Sequence, residues 1–352
     1  MLYIGVDLGG TNIAAGLVDE EGHILHKCSV PTGVERGAEA VIADMAALCQ
    51  RIIDETGHKT SDIKAIGVGV PGICHPSNGV VEFCTNLFWH QVPLREIMNR
   101  TLDIPVYIGN DATVAGLAES VAGVSKGVAN SVFLTLGTGV GGGIVVDHKV
   151  YSGTHGIGSE LGHMVIVADG EPCTCGNHGC WERYTSATAM IRMGREAAAK
   201  YPDSAILTAC GGNLDKLTAK MVMDAAKAGD PAGVEVFKKY VHYLAVGIVS
   251  IINILDPEVI AIGGGVSAAG EFLRDAVRAE VDTMIFCKEV PYARIEIAVL
   301  GNDAGIIGAA MLGKEEGNGG RGGRVLSFQE KRKNQRKADW LFSRKTILVQ
   351  AF

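Results

Sequence analysis

Residues 6 to 19, VDLGGTNIAAGLVD, decide the fold, because a related stretch recurs at residues 134 to 147 as LTLGTGVGGGIVVD. Both stretches have the pattern of a buried strand, a glycine turn and a second strand, which predicts a β-hairpin with glycine at its tip. At a constant offset, Leu8, Gly9, Val18 and Asp19 fall on Leu136, Gly137, Val146 and Asp147. The repeat therefore indicates a duplicated α/β unit whose two halves hold a polyphosphate between them.

The tip of the first hairpin carries groups suited to a nucleotide phosphate. Gly9 and Gly10 let backbone N–H groups approach a phosphate closely, and Thr11 and Asn12 add side-chain donors. Asp7 can hold the water shell of a magnesium ion. The matching residues of the second hairpin are Gly137, Thr138 and Gly139. Taken alone, a glycine hairpin beside an Asp is more often a simple turn, so the repeat is what favours phosphate binding.

Strand and helix patterns alternate through the rest of the chain. Apolar runs at 63 to 72 and 104 to 111 predict central strands, and periodic stretches at 38 to 53 and 231 to 255 predict helices. Because ligands bind at strand ends in open α/β sheets, Asp111 is placed either for chemistry or to cap the helix that follows. The whole order predicts two α/β lobes with a cleft between them.

Another pair of glycines follows the predicted strand at 258 to 265. Gly264 and Gly265 permit the backbone to approach a ligand closely, and adenine with its ribose is the ligand that this position favours. A tight turn without any ligand explains the same two residues equally well.

The loop from 158 to 182 combines a predicted metal site with polar groups that face a ligand. His163, Cys173, Cys175 and Cys180 have the spacing His-x9-Cys-x-Cys-x4-Cys, and one imidazole with three thiolates suits a closed, structural zinc site. Gly176 and Gly179 permit tight turns between the thiolates. The polar groups that face the ligand are Glu160, His163 and Glu182, and the zinc would orient their side chains.

Composition narrows the function classes. The chain has 352 residues and is 47% hydrophobic, enough for two domains with their own cores. No leader-like segment or long uncharged apolar run is visible, so we expect a cytoplasmic protein that does not span a membrane. The six cysteines outside the cluster lack framework spacing, as in a reducing compartment.

Charge is unevenly distributed along the chain. Residues 317 to 352 hold nine of the 32 Lys and Arg but only two of the 39 acidic residues, so this tail carries +7 and the remainder −14. An acidic body argues against nucleic acid binding and against a zinc-ribbon interaction module. We expect a small lobe at 1 to 118, completed by about 302 to 316, a large lobe at 119 to 301, and a disordered basic extension at 317 to 352.

These motifs together resemble the ROK family of sugar kinases, named for repressors, open reading frames and kinases. The family lies within the superfamily of actin, hexokinase and heat-shock ATPases, whose ribonuclease H-like fold the resemblance implies. The most specific match is E-x-G-H at 160 to 163 followed by C-x-C-G-x-x-G-C-x-E at 173 to 182. DLGGT at 7 to 11 and LGTGVGGG at 136 to 143 are similar to the family's two phosphate loops. Asn12 departs from the pattern, since many members have lysine there.

The resemblance implies a kinase that transfers phosphate from ATP, with Mg²⁺, to the 6-hydroxyl of glucose. Asp111 corresponds to the family's general base, which accepts the hydroxyl proton. The sugar-binding residues implied are Asn86, Asn110, Asp111, Glu160, His163 and Glu182. Loss of zinc is expected to impair sugar binding selectively, and a homodimer or higher oligomer is usual for the family. An N-acetylmannosamine, N-acetylglucosamine or fructose kinase, or a sugar-sensing transcription regulator, remains the alternative.

Overall fold

The computed structural model describes residues 1 to 317, which form two compact units. Unit 1 comprises Met1–Asp111 together with the described residues from Gly305 onward, and unit 2 is Ala112–Ala304. The predictions for the basic extension lie outside the described residues, apart from Gly317. The division falls directly after Asp111, earlier than the boundary at 118 that the sequence analysis placed, because the helix after Asp111 packs within unit 2.

Strands and helices both occur in each half of the described chain. The first half contains β1 (Leu2–Leu8), β2 (Asn12–Asp19), β3 (Ile24–Pro31), α1 (Ala38–Glu55), β4 (Ile63–Val70), β5 (Ile73–His75), β6 (Val80–Cys84), β7 (Trp89–Val92), α2 (Leu94–Asn99), β8 (Val106–Asn110) and α3 (Asp111–Ala122). The second half contains β9 (Ser131–Leu136), β10 (Val140–Val146), β11 (Lys149–Val150), α4 (Glu182–Thr185), α5 (Ala187–Lys200), α6 (Ala205–Ala209), α7 (Ala219–Lys227), α8 (Pro231–Leu255), β12 (Val259–Gly263), α9 (Glu271–Met284), β13 (Arg294–Ile297) and α10 (Ala304–Gly317).

Unit 1 is built on a five-stranded sheet in the order β3-β2-β1-β4-β8. The first three strands pair antiparallel, and β4 and β8 run parallel to β1. Helix α10 lies against the sheet, where a side chain at Gly5 or Gly67 would collide with backbone carbonyls of the helix. These two glycines therefore allow the helix backbone to approach the strands closely. A separate small sheet, β5-β6-β7, completes the unit.

Unit 2 repeats the same sheet topology in the order β11-β10-β9-β12-β13. β9, β10 and β11 pair antiparallel, and β12 and β13 run parallel to β9. The hairpin at 6 to 19 is β1-β2 and its repeat at 134 to 147 is the end of β9 with β10, so equivalent hairpins occupy equivalent positions. The predicted mixed α/β class with a duplicated core is confirmed.

Helix α8 is the central helix of the core of unit 2. Among the described residues it is the helix that is long and apolar enough, by length and composition, to cross a membrane. Its apolar face, however, packs against α5, α7 and α9, and Tyr240, Leu244 and Ile248 are fully buried there. The α8 sequence is therefore explained by its place in a protein core.

Candidate active site

Three polar residues of unit 1 lie at the same edge of its sheet. Asp7 near the end of β1 pairs with Gly69 of β4, and the register of β4 with β8 brings Asn110 opposite Val70. Asp111 follows directly as the first residue of α3. Because these strands are parallel, their carboxyl ends meet at one edge, which is where open α/β sheets bind ligands. The structure thus brings Asp7, Asn110 and Asp111 together, although about a hundred residues separate the first from the other two.

The Asp7 carboxyl group has an unusual environment. Burial raises the pKa of Asp7 from 3.8 to about 6, and repulsion by the Asp111 carboxylate adds to the rise. A buried carboxylate beside a second carboxylate is a group that a cation stabilises strongly. The pair would therefore favour a cation at the sheet edge, and the magnesium role of Asp7 stays a prediction.

The β1-β2 turn is held in shape by backbone contacts around Gly9. Its N–H donates to the Asn12 carbonyl at 3.0 Å, and its carbonyl accepts from the buried Thr32 hydroxyl at 2.7 Å. Gly10 is exposed at the tip, and a side chain there would reach only the Cβ of Asn86 at 4.0 Å. The turn consequently has an ordered backbone with room beside it for a ligand, and Thr11 and Asn12 are exposed next to it.

The predicted metal ligands of unit 2 converge. One donor atom from each of His163, Cys173, Cys175 and Cys180 lies within 4.8 Å of all the others. Nδ1 of His163 is 3.8 Å from Sγ of Cys173, and Sγ of Cys175 is 3.6 Å from Sγ of Cys180. Such separations are about those expected between the corners of a zinc tetrahedron with bonds of about 2.0 to 2.3 Å.

The chemistry of the cysteines also fits a cation. Burial raises the pKa of Cys173 to about 12 and raises the pKa of Cys180 above its ordinary range. The backbone N–H of Asn177 lowers the pKa of Cys175. Two buried thiols this close to a third sulfur become thiolates together only when a positive charge lies among them, and zinc deprotonates its thiol ligands. The four residues therefore fit a structural zinc ion.

The backbone of the loop is shaped for this convergence. Gly179 has a φ of 75°. Any side chain at this position would also collide with the Val167 carbonyl. Directly beyond Cys180, Trp181 is fully buried and donates from Nε1 to the Tyr243 carbonyl of α8 at 2.8 Å. Gly247 of α8 leaves the space that the indole ring fills. The end of the loop is thus anchored in the core, and Glu182 begins α4 from that anchor.

The predicted sugar-binding groups of unit 2 lie on this loop. Glu160 is exposed at the residue before a short 3-10 helix that ends at His163. The His163 ring directs Nδ1 toward Cys173, and within residues 1 to 317 its Nε2 makes no hydrogen bond. Oε1 of Glu182 accepts a hydrogen bond from the Cys173 thiol at 3.2 Å. A thiolate cannot donate, so metal binding would free this oxygen of Glu182 for another donor.

The second hairpin is hydrogen-bonded to the segment that follows the loop from 158 to 182. The Gly137 carbonyl accepts from the N–H of Ala187 at 2.8 Å, and the Thr138 carbonyl accepts from the Thr188 hydroxyl at 2.7 Å. A Cβ at Gly139 would lie 2.8 Å from Oε2 of Glu182. The expectation that zinc affects only the sugar site assumed that this hairpin is independent of the loop, and these contacts contradict that assumption.

Gly264 and Gly265, which follow β12, are glycine for different reasons. Gly264 has a φ of 81°, and a Cβ there would lie 2.5 Å from the backbone nitrogen of Leu136. Packing beside the second hairpin is thus sufficient to explain Gly264. Gly265 faces open space, since a Cβ at this position would have no atom within 4 Å among the described residues. The predicted nucleotide contact therefore remains a prediction for Gly265.

Glu119 is a buried carboxylate in α3 that carries no functional signal in the sequence. Its Oε1 accepts from the N–H groups of Val299 and Leu300, each at 3.0 Å, and its Oε2 accepts from the N–H of Val124 at 2.9 Å. Only 1% of the residue is exposed, so these bonds compensate its burial. Glu119 fastens the helix that begins at Asp111 to the segment after β13. Its partners there are about 180 residues away, so no local signal in the sequence could have found them.

The duplicated fold, the acidic strand edge and the His-Cys₃ loop together define one class of two-unit α/β proteins. The chain belongs to the ROK family, whose model matches residues 3–316. It is 39% identical over 313 residues to a glucokinase of Thermotoga maritima, covering 89% of this chain and 97% of that protein. It is also 37% identical over 317 residues to a glucokinase of Streptomyces coelicolor, covering 89% of this chain and 98% of that protein.

A solved structure agrees with these relatives. A ROK family glucokinase from Streptomyces griseus, crystallised in complex with glucose and AMPPNP, superimposes with a TM-score of 0.75 at 35% identity, covering 90% of this chain and 100% of that chain. The actin- and hexokinase-like fold class that the sequence predicted is thereby confirmed.

Proposed function

We propose that this chain is an ATP-dependent hexose kinase that phosphorylates the 6-hydroxyl of glucose and releases glucose 6-phosphate. The observation that supports the proposal is the position of Asp111 directly after the carboxyl end of β8, in a fold shared with a glucokinase crystallised with glucose and AMPPNP. The relatives named glucokinase, at 37% and 39% identity over most of both chains, favour glucose as the sugar.

In this proposal Asp111 is the general base. A sugar hydroxyl is a weak nucleophile at neutral pH, so a carboxylate within hydrogen-bond reach accepts its proton as it attacks the γ-phosphate in line. Asn110, whose side chain also donates to the Gly72 carbonyl at 3.2 Å, binds a hydroxyl beside the base. Asn86, close to Gly10, is a further contact for the sugar.

The two glycine hairpins bind the nucleotide in this proposal. In unit 1 the backbone N–H of Gly10 and the side chains of Thr11 and Asn12 contact phosphate oxygens, and Gly9 leaves room for their close approach. In unit 2 residues 137 to 139 form the equivalent phosphate loop. Asp7 holds the water shell of a magnesium ion, which when bound neutralises charge on the phosphates. Asp7 fits this role because its carboxylate is buried and repelled by Asp111, so a nearby cation would stabilise its charged form.

Glu160, His163 and Glu182 bind further hydroxyls of the sugar in this proposal. His163 uses Nδ1 for zinc and donates from Nε2, and Glu182 accepts once the Cys173 thiol has become a thiolate. Zinc would be held by His163 and the three cysteines and takes no part in phosphoryl transfer. A cytoplasmic location and a homodimer or higher oligomer complete the proposal.

A panel of sugars tests the function. The purified full chain is assayed with ATP and magnesium against glucose, N-acetylmannosamine, N-acetylglucosamine and fructose, with product formation coupled to a dye-linked readout of ADP. We expect kcat/KM for glucose to exceed the others by at least about tenfold, since a pocket built for one hydroxyl pattern rejects altered ones. A preference for an N-acetylhexosamine or fructose would replace the substrate, and turnover of none of them would favour a sugar-sensing regulator.

A further inference from the structure

A second group of metal-ligating side chains lies in unit 1, apart from the residues assigned to catalysis. His26 and Cys28 of β3 and Glu55 of α1 each offer a donor atom, and these three atoms lie within 4.8 Å of one another. Nε2 of His26 is 2.8 Å from Oε2 of Glu55. We propose that these three residues form a second zinc-binding site, with water in the fourth position.

The backbone places the three residues together. Side chains alternate between the two faces of a strand, so His26 and Cys28 share one face of β3. The burial of β3 alternates accordingly, with His26 and Cys28 half-buried and Lys27 exposed between them. Glu55 is the last residue of α1, which packs on that face. The site is thus formed by two elements whose positions the core of unit 1 already determines.

The donor set suits zinc better than other common ions. Imidazole, thiolate and carboxylate are all zinc ligands, whereas magnesium and calcium prefer oxygen donors alone. A ligating carboxylate is usually held by a further hydrogen bond, and here Arg51 donates from Nε to Oε1 of Glu55 at 2.7 Å. This leaves Oε2, the oxygen beside His26, for the metal. The positive charge of Arg51 lowers the affinity, so we expect weaker binding than at the His163 site.

The simpler explanation is that His26 and Glu55 form an ion pair while Cys28 packs at the edge of the core. The two side chains of that pair are exposed to 35% and 39%, and pairs this exposed contribute little to stability. The two explanations differ in a measurable way, because only the metal site requires the Cys28 sulfur.

A bound zinc ion would join the end of α1 to the edge strand of the sheet. β3 pairs with β2 on one side, and within the described residues no strand pairs with its other side. Edge strands are the strands most exposed to local opening and to unwanted pairing. A metal link between β3 and α1 would therefore slow opening of this edge.

The test counts zinc ions bound by the full chain. Wild-type protein, washed with a weak chelator that leaves tightly held zinc in place, is titrated with zinc chloride by calorimetry, and its metal content is measured by mass spectrometry. Cys28→Ser and His26→Gln remove ligands, and the matched controls are Cys287→Ser and His23→Gln. All four positions are at least partly exposed, so the variants are expected to fold.

We expect wild type and both controls to bind one more zinc ion per chain than Cys28→Ser, and His26→Gln to bind it at least about tenfold more weakly. With cobalt(II) chloride as a spectroscopic probe, the difference between wild type and Cys28→Ser should contain a near-ultraviolet thiolate-to-cobalt band. Equal zinc binding by wild type and Cys28→Ser, or no additional zinc in wild type, would overturn the proposal. Neither outcome depends on catalytic activity, so the result is separate from the proposed function.

Discussion

Replacing Asp7 by asparagine should make the protein more stable while it removes a proposed magnesium-binding group. In the folded chain burial and the Asp111 carboxylate raise the pKa of Asp7 from 3.8 to about 6. A carboxyl group with a raised folded-state pKa favours the folded state fully below its unfolded pKa, and this contribution is lost as the pH rises through the folded pKa. The side-chain amide of the variant cannot ionise, so the Asp7→Asn protein avoids this loss.

The shift sets the size of the effect. One pKa unit corresponds to about 1.36 kcal/mol, so a rise from 3.8 to about 6 gives about 3 kcal/mol in favour of Asp7→Asn at pH 8. At pH 5 the advantage falls to about half, because the unfolded carboxyl is then ionised but the folded one is still protonated. About 3 kcal/mol is an upper limit, since local relaxation reduces the cost of the charge.

Urea unfolding of both proteins at pH 5 and pH 8, in buffer without magnesium or strong chelator, measures this difference. Magnesium added at pH 8 should stabilise wild type and narrow the gap, because the cation offsets a buried charge that the amide variant does not have. Asp103→Asn, which neutralises an exposed carboxylate of the same unit, is the control and should change stability by less than about 0.5 kcal/mol at either pH. An Asp7→Asn variant that is no more stable than wild type at pH 8, or equally shifted at both pH values, would refute this reasoning.

Three further predictions concern the base, the zinc and the buried carboxylate. Asp111→Asn should lower kcat by a factor of about 10² to 10⁴, measured by rapid-quench kinetics. Fluorescence titration should show little change in glucose and ATP binding. A variant that keeps a tenth of the wild-type rate would exclude Asp111 as the base. Cys175→Ala should lose zinc, which leaves the Cys173 thiol bonded to Glu182 and raises KM for glucose. It should weaken ATP binding as well, because the second hairpin contacts the segment that begins at Glu182. A folded, zinc-free variant with both KM values unchanged would contradict this. Glu119→Ala should destabilise the chain by about 1 to 3 kcal/mol, since it removes the acceptor of three part-buried N–H groups. Glu119→Gln keeps one acceptor oxygen and should lose less, and thermal melting compares the two.

The repeat of the glycine hairpins was sufficient to predict the duplicated core. A strand pair with the same spacing and turn forms the same local structure, so β1-β2 and β9-β10 could be recognised before any sheet was known. Both hairpins then occupy the same place in sheets of equivalent strand order. The convergence of His163 with the three cysteines was predictable for a similar reason, because all four residues lie within a short stretch whose spacing is typical of a metal site.

Features that depend on distant pairing were not predicted. Glu119 has the appearance of a solvated helix residue in the sequence, and its two farthest partners come from the other end of unit 2. The strands β5 and β7 have three and four residues, too few for an alternating pattern to stand out.

Helix α9 was missed although its signal is present, since Leu273, Val277 and Val281 recur every four residues and form its buried face.

The magnesium ion proposed at Asp7 and the zinc ion proposed at His163 should differ in what their removal does, because their ligands are positioned by different means. The His163 and cysteine ligands lie on a glycine-containing loop with little regular structure, so the metal itself must supply part of the energy that orders this loop. Asp7 lies on β1 and Asp111 directly follows β8, two parallel strands on either side of β4 in a sheet whose core is complete without any ion. Magnesium removal should therefore leave the positions of these carboxylates unchanged and only restore their repulsion. Zinc removal should let the Cys173 thiol bond the Glu182 carboxylate, which lies close to Gly139. Amide hydrogen exchange separates the two cases: chelation of zinc should raise exchange rates across residues 158 to 182, and withdrawal of magnesium should leave the exchange rates of β1 and β8 as they were.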